Sequence, residues 1–394
     1  MTPSARAQAA IELLDGIVAS ARDGGAAADT LIARYFKTRR YAGSKDRRAV
    51  RELVYAAIRR AGERPASGRA ALLGLAADRP DLAPLFDGSA HGPAPAGNSE
   101  PMAAAGVAPA WLTEKLLRSI SPDELPALLE RAPLDLRVNR MRASRDDVLA
   151  QIPEAIAGEH GPDALRLPEG FAVEGLPAWD QGLIEIQDEG SQLVALACDV
   201  ASGMTVIDLC AGAGGKTLAL AAAMGRQGRL IACDVDRGRL SRLQPRAARV
   251  GANGIETRLL DPGREAAAIA DLEVAADVVL VDAPCSGTGT WRRNPEARWR
   301  LTAERLDRLT QLQRHILDLA APLVRPGGHL VYAVCSLLAE EGADQIAAFV
   351  ERNPGWRIEP EPVGIGRAQG GGKLLTPASD RTDGFFIARL ARPC

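Results

Sequence analysis

Histidine is scarce in this sequence, four in 394 residues, and the six cysteines, at 198, 210, 233, 285, 335 and 394, form no C-x-x-C pair. No ligand spacing for zinc is present, so no metal is expected, and a chain of this length does not require a disulfide framework. Lysine is scarce too: Lys37, Lys45, Lys115, Lys216 and Lys373 are five of 48 basic residues. An Arg and Ala bias of that kind follows genome composition, so the number of arginines alone says nothing about function. No window approaches the ~18 consecutive apolar residues of a membrane helix. Arg6, Glu12 and Asp15 interrupt any apolar stretch of a signal peptide. The expectation is a cytoplasmic chain with no membrane partner.

What is present is ordinary globular material, 46% hydrophobic and 25% charged. At roughly 100–200 residues per domain, the length predicts two or three domains. Charge is unevenly spread. Residues 31–60 hold ten basic side chains (Arg34, Lys37, Arg39, Arg40, Lys45, Arg47, Arg48, Arg51, Arg59, Arg60) against Asp46 and Glu52, in a chain whose net charge is −2. A local basic block on a slightly acidic chain fits a polyanion such as nucleic acid. A solvated helix face whose arginines pair with acids elsewhere is the plainer alternative.

Residues 5–60 read as helices, with stripes at Ile11, Leu14, Val18 and at Val50, Leu53, Val54, Ala57, Ile58. From Gly62 to Ala110 the composition turns to Ala, Gly and Pro, predicting a linker with one short helix near Arg69–Ala77. Leu134–Asn139 alternates as a strand and opens a small α/β unit of about fifty residues, too small for a catalytic body. From Gly190 strands and helices alternate. Strands are predicted at Thr205–Leu209, Leu230–Asp234, Glu256–Leu260, Val278–Asp282 and His329–Val334, and helices at Lys216–Met224, Arg237–Val250 and Thr302–Leu323. That order predicts an α/β fold with a doubly wound parallel sheet. The domains are expected at 1–133, 134–188 and 189–394.

In such a sheet, ligands bind beyond the carboxyl ends of the strands. The first strand runs into Asp208-Leu209-Cys210-Ala211-Gly212-Ala213-Gly214-Gly215-Lys216-Thr217. A phosphate-binding P-loop would need Gly at Cys210, and a dinucleotide G-x-G-x-x-G would need Gly at Thr217. A nucleoside-binding turn of the kind found in S-adenosylmethionine enzymes fits better, with a merely structural turn as the alternative. Asp234 ends the second strand, 22 residues past Gly212, where a carboxylate can grip ribose hydroxyls. Asp261 follows the third strand and Asp282 the fourth. Each alone could be a cap or turn former. Together, acids suit a cofactor with a sulfonium, ribose hydroxyls and an adenine amine, and would oppose a pyrophosphate. Cys285, in Asp282-Ala283-Pro284-Cys285-Ser286-Gly287-Thr288-Gly289, and Cys335, in Tyr332-Ala333-Val334-Cys335-Ser336-Leu337, follow neighbouring strands and are expected to line one cleft. A thiol of ordinary pKa ~8.5 must ionise to attack, and Lys216 with a helix N-terminus would assist. Spacing alone does not choose between the cysteines.

With these residues in view the chain resembles the Sun/Fmu family of RNA cytosine methyltransferases, the RsmB/NOP group. Ile186–Gln192, Gly214–Thr217, Asp282–Gly289, Tyr332–Glu341, Pro377 and Asp383–Phe386 carry the match, with Arg292-Arg293-Asn294-Pro295-Glu296 after the proline-cysteine stretch. Lys45–Tyr55 resembles the NusB-like helical RNA-binding module of the bacterial ribosomal RNA members. The resemblance implies a Rossmann-like class I methyltransferase sheet, preceded by that helical domain and a small α/β (RRM-like) RNA-binding subdomain. It implies S-adenosyl-L-methionine over Cys210, Ala211, Gly212, Ala213, Gly214, Gly215, Lys216 and Thr217, with Asp234 at the ribose, Asp261 near adenine, and Asp282 holding the cytosine ring nitrogen. It makes Cys335 the nucleophile and Cys285 the residue that helps release the product. RNA, small-subunit ribosomal RNA above all, is the implied partner of an expected monomer. A transfer RNA methyltransferase, a DNA cytosine methyltransferase and an inactive assembly factor are the rivals. Ala213 stands where many members have Pro, and Gly342 where Asn is common.

Overall fold

The computed structural model describes residues 1–225 and 227–394. The chain divides into two compact units, Met1–Arg131 with Thr290–Ala303, and Ala132–Gly289 with Glu304–Cys394. The small sheet expected at 134–188 therefore belongs to the second unit, and a later segment of the chain folds into the first.

The first unit is built on four helices, α1 (Pro3–Asp23), α2 (Ala28–Thr38), α3 (Ser44–Arg60) and α4 (Gly68–Asp78). Helix α1 starts where the Thr2 hydroxyl accepts the Ala5 N–H and Pro3 pre-sets the first turn, and it stops at Gly24, φ 71°. Its Ala7, Ala10, Leu14 and Ile17 are wholly buried. The short helix expected near Arg69–Ala77 forms as α4, and it packs into the core of this unit and is not part of a linker. A Cβ at Gly68 would lie 2.2 Å from the Ile11 carbonyl oxygen, so Gly allows α4 to press against α1, and Leu72, Leu73 and Leu75 are buried. The Ala and Gly content that reads as a linker is what close helix packing requires. The Gly92–Gly97 stretch is irregular, as expected.

Thr290–Ala303 completes this unit by serving helix ends, where backbone groups lack partners. The buried Arg298 guanidinium donates to the carbonyls of Ile58, Arg59 and Ala61 at 2.5, 3.1 and 2.9 Å, at the end of α3. Trp299 Nε1 also donates to Ala61 at 3.0 Å. Glu296 accepts the Ala28 N–H that opens α2, at 2.9 Å. In the basic block, Arg39, Arg51 and Arg60 pair with Glu12, Asp29 and Asp78. Arg34, Lys37, Arg40, Lys45 and Arg48 face solvent with no acidic partner among the described residues.

The second unit opens with a four-stranded antiparallel sheet, β1 (Leu134–Val138), β2 (Ile156–Ala157), β3 (Ala164–Leu167) and β4 (Ile184–Ile186), in the order β2-β3-β1-β4. The larger sheet holds β5 (Thr205–Asp208), β6 (Arg229–Asp234), β7 (Glu256–Leu259), β8 (Ala276–Asp282), β9 (Val324–Val334), β10 (Arg357–Glu359), β11 (Arg367–Gln369), β12 (Gly372–Leu375) and β13 (Phe385–Ala391). Its order is β11-β12-β13-β9-β8-β5-β6-β7, with β10 on β13. Strands β5 to β9 pair in parallel, and β13 pairs antiparallel with β9. The order reverses at β5 and β8, the switch point where such sheets bind ligands. The predicted helix Arg237–Val250 forms as two pieces, Arg237–Leu240 and Leu243–Val250. Pro245, the third residue of the second piece, has no N–H to bond back to Ser241, so the first piece cannot run on unbroken. Among the described residues no helix is long and apolar enough to cross a membrane.

Candidate active site

The carboxyl ends of β5 to β9 share one edge of the sheet, because the five strands are parallel. After β5 the loop turns through Gly212, φ 56°, and Gly214, φ 86°, into the helix Gly215–Ala223. Both are left-handed conformations that Gly adopts without steric cost. Ala211 N–H donates to the Cys233 carbonyl at 2.8 Å, and Gly214 N–H to the Ala211 carbonyl at 2.9 Å. Ala213 accepts from Arg246 through its carbonyl at 2.6 Å. Burial pushes the Cys210 thiol well above its ordinary value, which makes it a small apolar side chain of this loop.

Among the described residues, Asp234 is held by backbone N–H groups. Its Oδ2 accepts the Gly212 N–H at 2.7 Å and its Oδ1 the Asp236 N–H at 2.7 Å. Each oxygen keeps a lone pair for a hydroxyl. The next residue, Val235, is a large apolar side chain 52% exposed, a flat surface beside an acid that patterning did not single out. Asp261 is exposed after β7, in a turn closed by Arg264 N–H to its carbonyl at 2.8 Å. Asp208 separates from the other strand-end acids. It is buried, takes the Thr217 hydroxyl at 2.6 Å, and is pushed up to about 7 by burial, with the nearby charge of Asp282 adding. It ties the following helix to β5, and Thr217 is its partner.

Lys216 Nζ donates to Asp282 Oδ2 at 2.7 Å and lies 5.4 Å from the Phe385 ring centroid. Burial works against its charge, but the attraction of Asp282 and their hydrogen bond hold it above its ordinary value. Lys216 is thus a fixed cation on Asp282. On the adjoining turns, Cys285 Sγ and Cys335 Sγ face each other at 3.3 Å. Their hydrogen bond, then burial and the Cys335 charge, push the Cys285 thiol well above the ordinary thiol range. Every predicted site residue therefore lies on one edge of the sheet, on the strand ends or the loops that leave them. All six cysteines are free thiols, and among the described residues no cluster of three or more His, Cys, Asp or Glu could hold a metal.

S-adenosylmethionine asks for acceptors at two ribose hydroxyls, an apolar face for adenine and a negative surround for its sulfonium. Asp234 with its free lone pairs, exposed Val235 and the acids Asp261 and Asp282 fit those demands. Sheet, loop and strand-end acids together define a class I methyltransferase with S-adenosyl-L-methionine as cofactor.

The family described as 16S rRNA methyltransferase RsmB/F matches residues 195–391, half of the chain. Ribosomal RNA small subunit methyltransferase B of Citrobacter koseri is 36% identical over 294 residues, 72% of this chain and 66% of that protein. The crystal structure of PH0851 superposes with a TM-score of 0.76 at 25% identity, covering 99% of each chain. A methyltransferase homolog protein from Pyrococcus horikoshii gives 0.63 at 26% identity, over 72% of this chain and 94% of that one. The chain belongs to the 16S rRNA methyltransferase RsmB/F family. The match spans 66% of the length of the curated relative.

Proposed function

We propose that this chain is an RNA cytosine-carbon-5 methyltransferase acting on small-subunit ribosomal RNA. The observation that carries the reading is the pair of facing sulfurs, Cys285 and Cys335, 3.3 Å apart on the turns that leave β8 and β9, with the Lys216–Asp282 pair at the end of β8. Such a pair suits addition and elimination at one base. The small-subunit RNA named for the Citrobacter koseri relative supports the substrate. So do the unpaired cations on α2 and α3, read as a NusB-like RNA-binding face.

When bound, S-adenosylmethionine supplies an electrophilic methyl group. Cys335 adds through its thiolate to carbon 6 of an extruded cytosine, and the displaced electron pair makes carbon 5 nucleophilic. Splitting the reaction through a covalent adduct lowers each barrier. Asp282 holds the proton on the cytosine ring nitrogen and thereby draws those electrons. Its contact with Cys335 and its burial push the Cys285 thiol up. The resemblance, and not spacing, makes Cys335 the attacking sulfur. After methyl transfer, Cys285 assists elimination, in which a general base takes the carbon-5 proton and the electron pair of that bond re-forms the ring double bond and expels Cys335 from carbon 6 as thiolate. Extruding the base costs a few kcal/mol, least in a loop or single strand.

The test is methyl transfer from labelled donor to small-subunit ribosomal RNA, transfer RNA and DNA, with bisulfite sequencing of the product. Labelling of ribosomal RNA at a cytosine is expected. Labelling of transfer RNA alone overturns the substrate, and labelling of DNA alone overturns the class. On a denaturing gel Cys335→Ala forms no RNA adduct and Cys285→Ala accumulates one. An adduct trapped by Cys335→Ala reverses the two roles.

A further inference from the structure

Strand β8 and strand β9 run in register as far as Asp282 opposite Ala333. The last ladder bond beyond them is Ala283 N–H to the Ala333 carbonyl at 2.9 Å. Past that point both chains leave the sheet as turns, and it is in these turns that Cys285 and Cys335 sit. Beyond the ladder one backbone bond, Gly289 N–H to the Cys335 carbonyl at 3.1 Å, joins the two turns. The other links between them are made by side chains, with one carboxylate at their centre.

Glu341 is fully buried, in the single helical turn Ala339–Glu341. Its Oε1 accepts the Ser286 N–H at 2.8 Å and Gln313 Nε2 at 2.9 Å. Its Oε2 accepts the Ser336 hydroxyl at 2.5 Å and the Ser286 hydroxyl. Ser286 and Ser336 are the residues directly after the two cysteines. Gln313 also donates to the Pro284 carbonyl at 2.9 Å, so the residue before Cys285 joins the same cluster. The Tyr332 hydroxyl anchors the Glu341 backbone through its carbonyl at 2.6 Å. Thr288 completes the clasp, with its hydroxyl 3.1 Å from Ser336 and accepting the Leu337 N–H at 2.8 Å. A buried charge is costly unless its acceptor sites are filled. Four donors fill those of Glu341, and all four come from the cysteine turns or the helix behind them.

We propose that Glu341 is the positioning residue of the cysteine pair: its carboxylate clasps the turn of Cys285 to the turn of Cys335 and thereby sets the distance between the sulfurs. The proposal rests on the reading that both cysteines act on one base. Glu341 touches neither sulfur and acts through Ser286 and Ser336. An amide in its place keeps an acceptor oxygen for the Ser286 N–H, and its NH2 can donate to the two hydroxyls, which also accept. Alanine can do neither.

The test compares Glu341→Ala and Glu341→Gln in the full chain by two readouts. Dibromobimane fluoresces once both its arms are alkylated by neighbouring thiols, and peptide mapping assigns the link to Cys285 and Cys335. Wild type is expected to cross-link. Glu341→Ala should do so about tenfold more slowly, with kcat for methyl transfer down on the order of 100-fold. Its KM for S-adenosylmethionine should stay unchanged, and Glu341→Gln should recover most of both losses. Should Glu341→Ala fail to fold by circular dichroism, Ser336→Ala, which removes one of the four donors, carries the same comparison. A Glu341→Ala protein that cross-links at the wild-type rate overturns the proposal, whatever its activity. Wild type that cross-links but methylates no RNA overturns the reading of function and leaves the clasp supported.

Discussion

The two left-handed glycines of the cofactor loop should respond unequally to the same added methyl group. At Gly214, φ 86°, a Cβ would stand 2.1 Å from Leu243 Cδ1 and 3.1 Å from its Cγ. Leu243 is fully buried and cannot retreat. Gly214→Ala therefore adds overpacking of about 1–3 kcal/mol to about 1–2 kcal/mol for an L-residue in the left-handed region. At Gly212, φ 56°, the Cβ would meet Arg239 Nη2 at 2.4 Å, but Arg239 is exposed and its tip swings away. Only the backbone cost of about 1–2 kcal/mol remains. The excess of about 1–3 kcal/mol at Gly214 should appear as a lower urea midpoint than that of Gly212→Ala, with the weaker S-adenosylmethionine affinity of the two in calorimetric titration. Leu243→Ala in the Gly214→Ala background should restore part of the loss, so the double variant costs less than the two single variants summed. Equal losses at Gly212 and Gly214, or strict additivity with Leu243→Ala, would refute the packing argument.

Asp208 sets a pH dependence. Its folded carboxyl titrates near about 7 instead of 3.8, so between those values the folded state binds a proton that the unfolded state does not. Its contribution to stability is complete below 3.8 and is lost as pH rises through about 7. Asp208→Asn keeps an acceptor for Thr217 and should flatten the urea midpoint across that window; an unchanged slope would count against it. Trp299 is 3% exposed in the core of the first unit. Trp299→Ala should cost about 3–5 kcal/mol in chemical denaturation. Trp299→Phe should cost about 1 kcal/mol, because Arg298 still serves the Ala61 carbonyl.

The central parallel strands were legible because they are apolar runs bounded by turns, as in Leu230–Cys233 and Val278–Val281, and burial on both faces demands such runs, whereas the edge strand Glu256–Leu259 is polar. Two features hid the rest of the sheet. Strand β9 begins at Val324, five residues before the expected start, with Pro326-Gly327-Gly328 inside it. That triplet reads as a turn, yet a Cβ at Gly328 would lie 2.9 Å from the Asp277 carbonyl oxygen. The glycine is there to let β9 pass close to β8. Strand β13 returns antiparallel after three short strands that follow the helix Ala343–Arg352, so the simple strand-helix alternation that marks the others is missing. In the first unit the error had the same root. Small residues were read as freedom where, at Gly68, they mark contact.

At the site, each chemically expressive residue announced itself by lying just past a strand, and the residue that joins them did not. Asp234, Asp282, Cys285 and Cys335 follow apolar runs. Glu341 follows Glu340 on a short polar turn, and nothing in its spacing distinguishes it from a solvated acid. Its partners at 286, 313 and 336 are gathered only by folding. The departure at Gly342 belongs to the same packing. A Cβ there would stand 2.7 Å from Cγ of Phe386 on β13, so glycine is what permits that ring to sit beneath the turn carrying Glu341. A helix Ala343–Arg352 that begins without a side-chain cap is the consequence, and Asn at 342 would gain that cap only by displacing the buried ring. The side chain absent at 342 thus seats the turn from which the carboxylate at 341 reaches both cysteine turns.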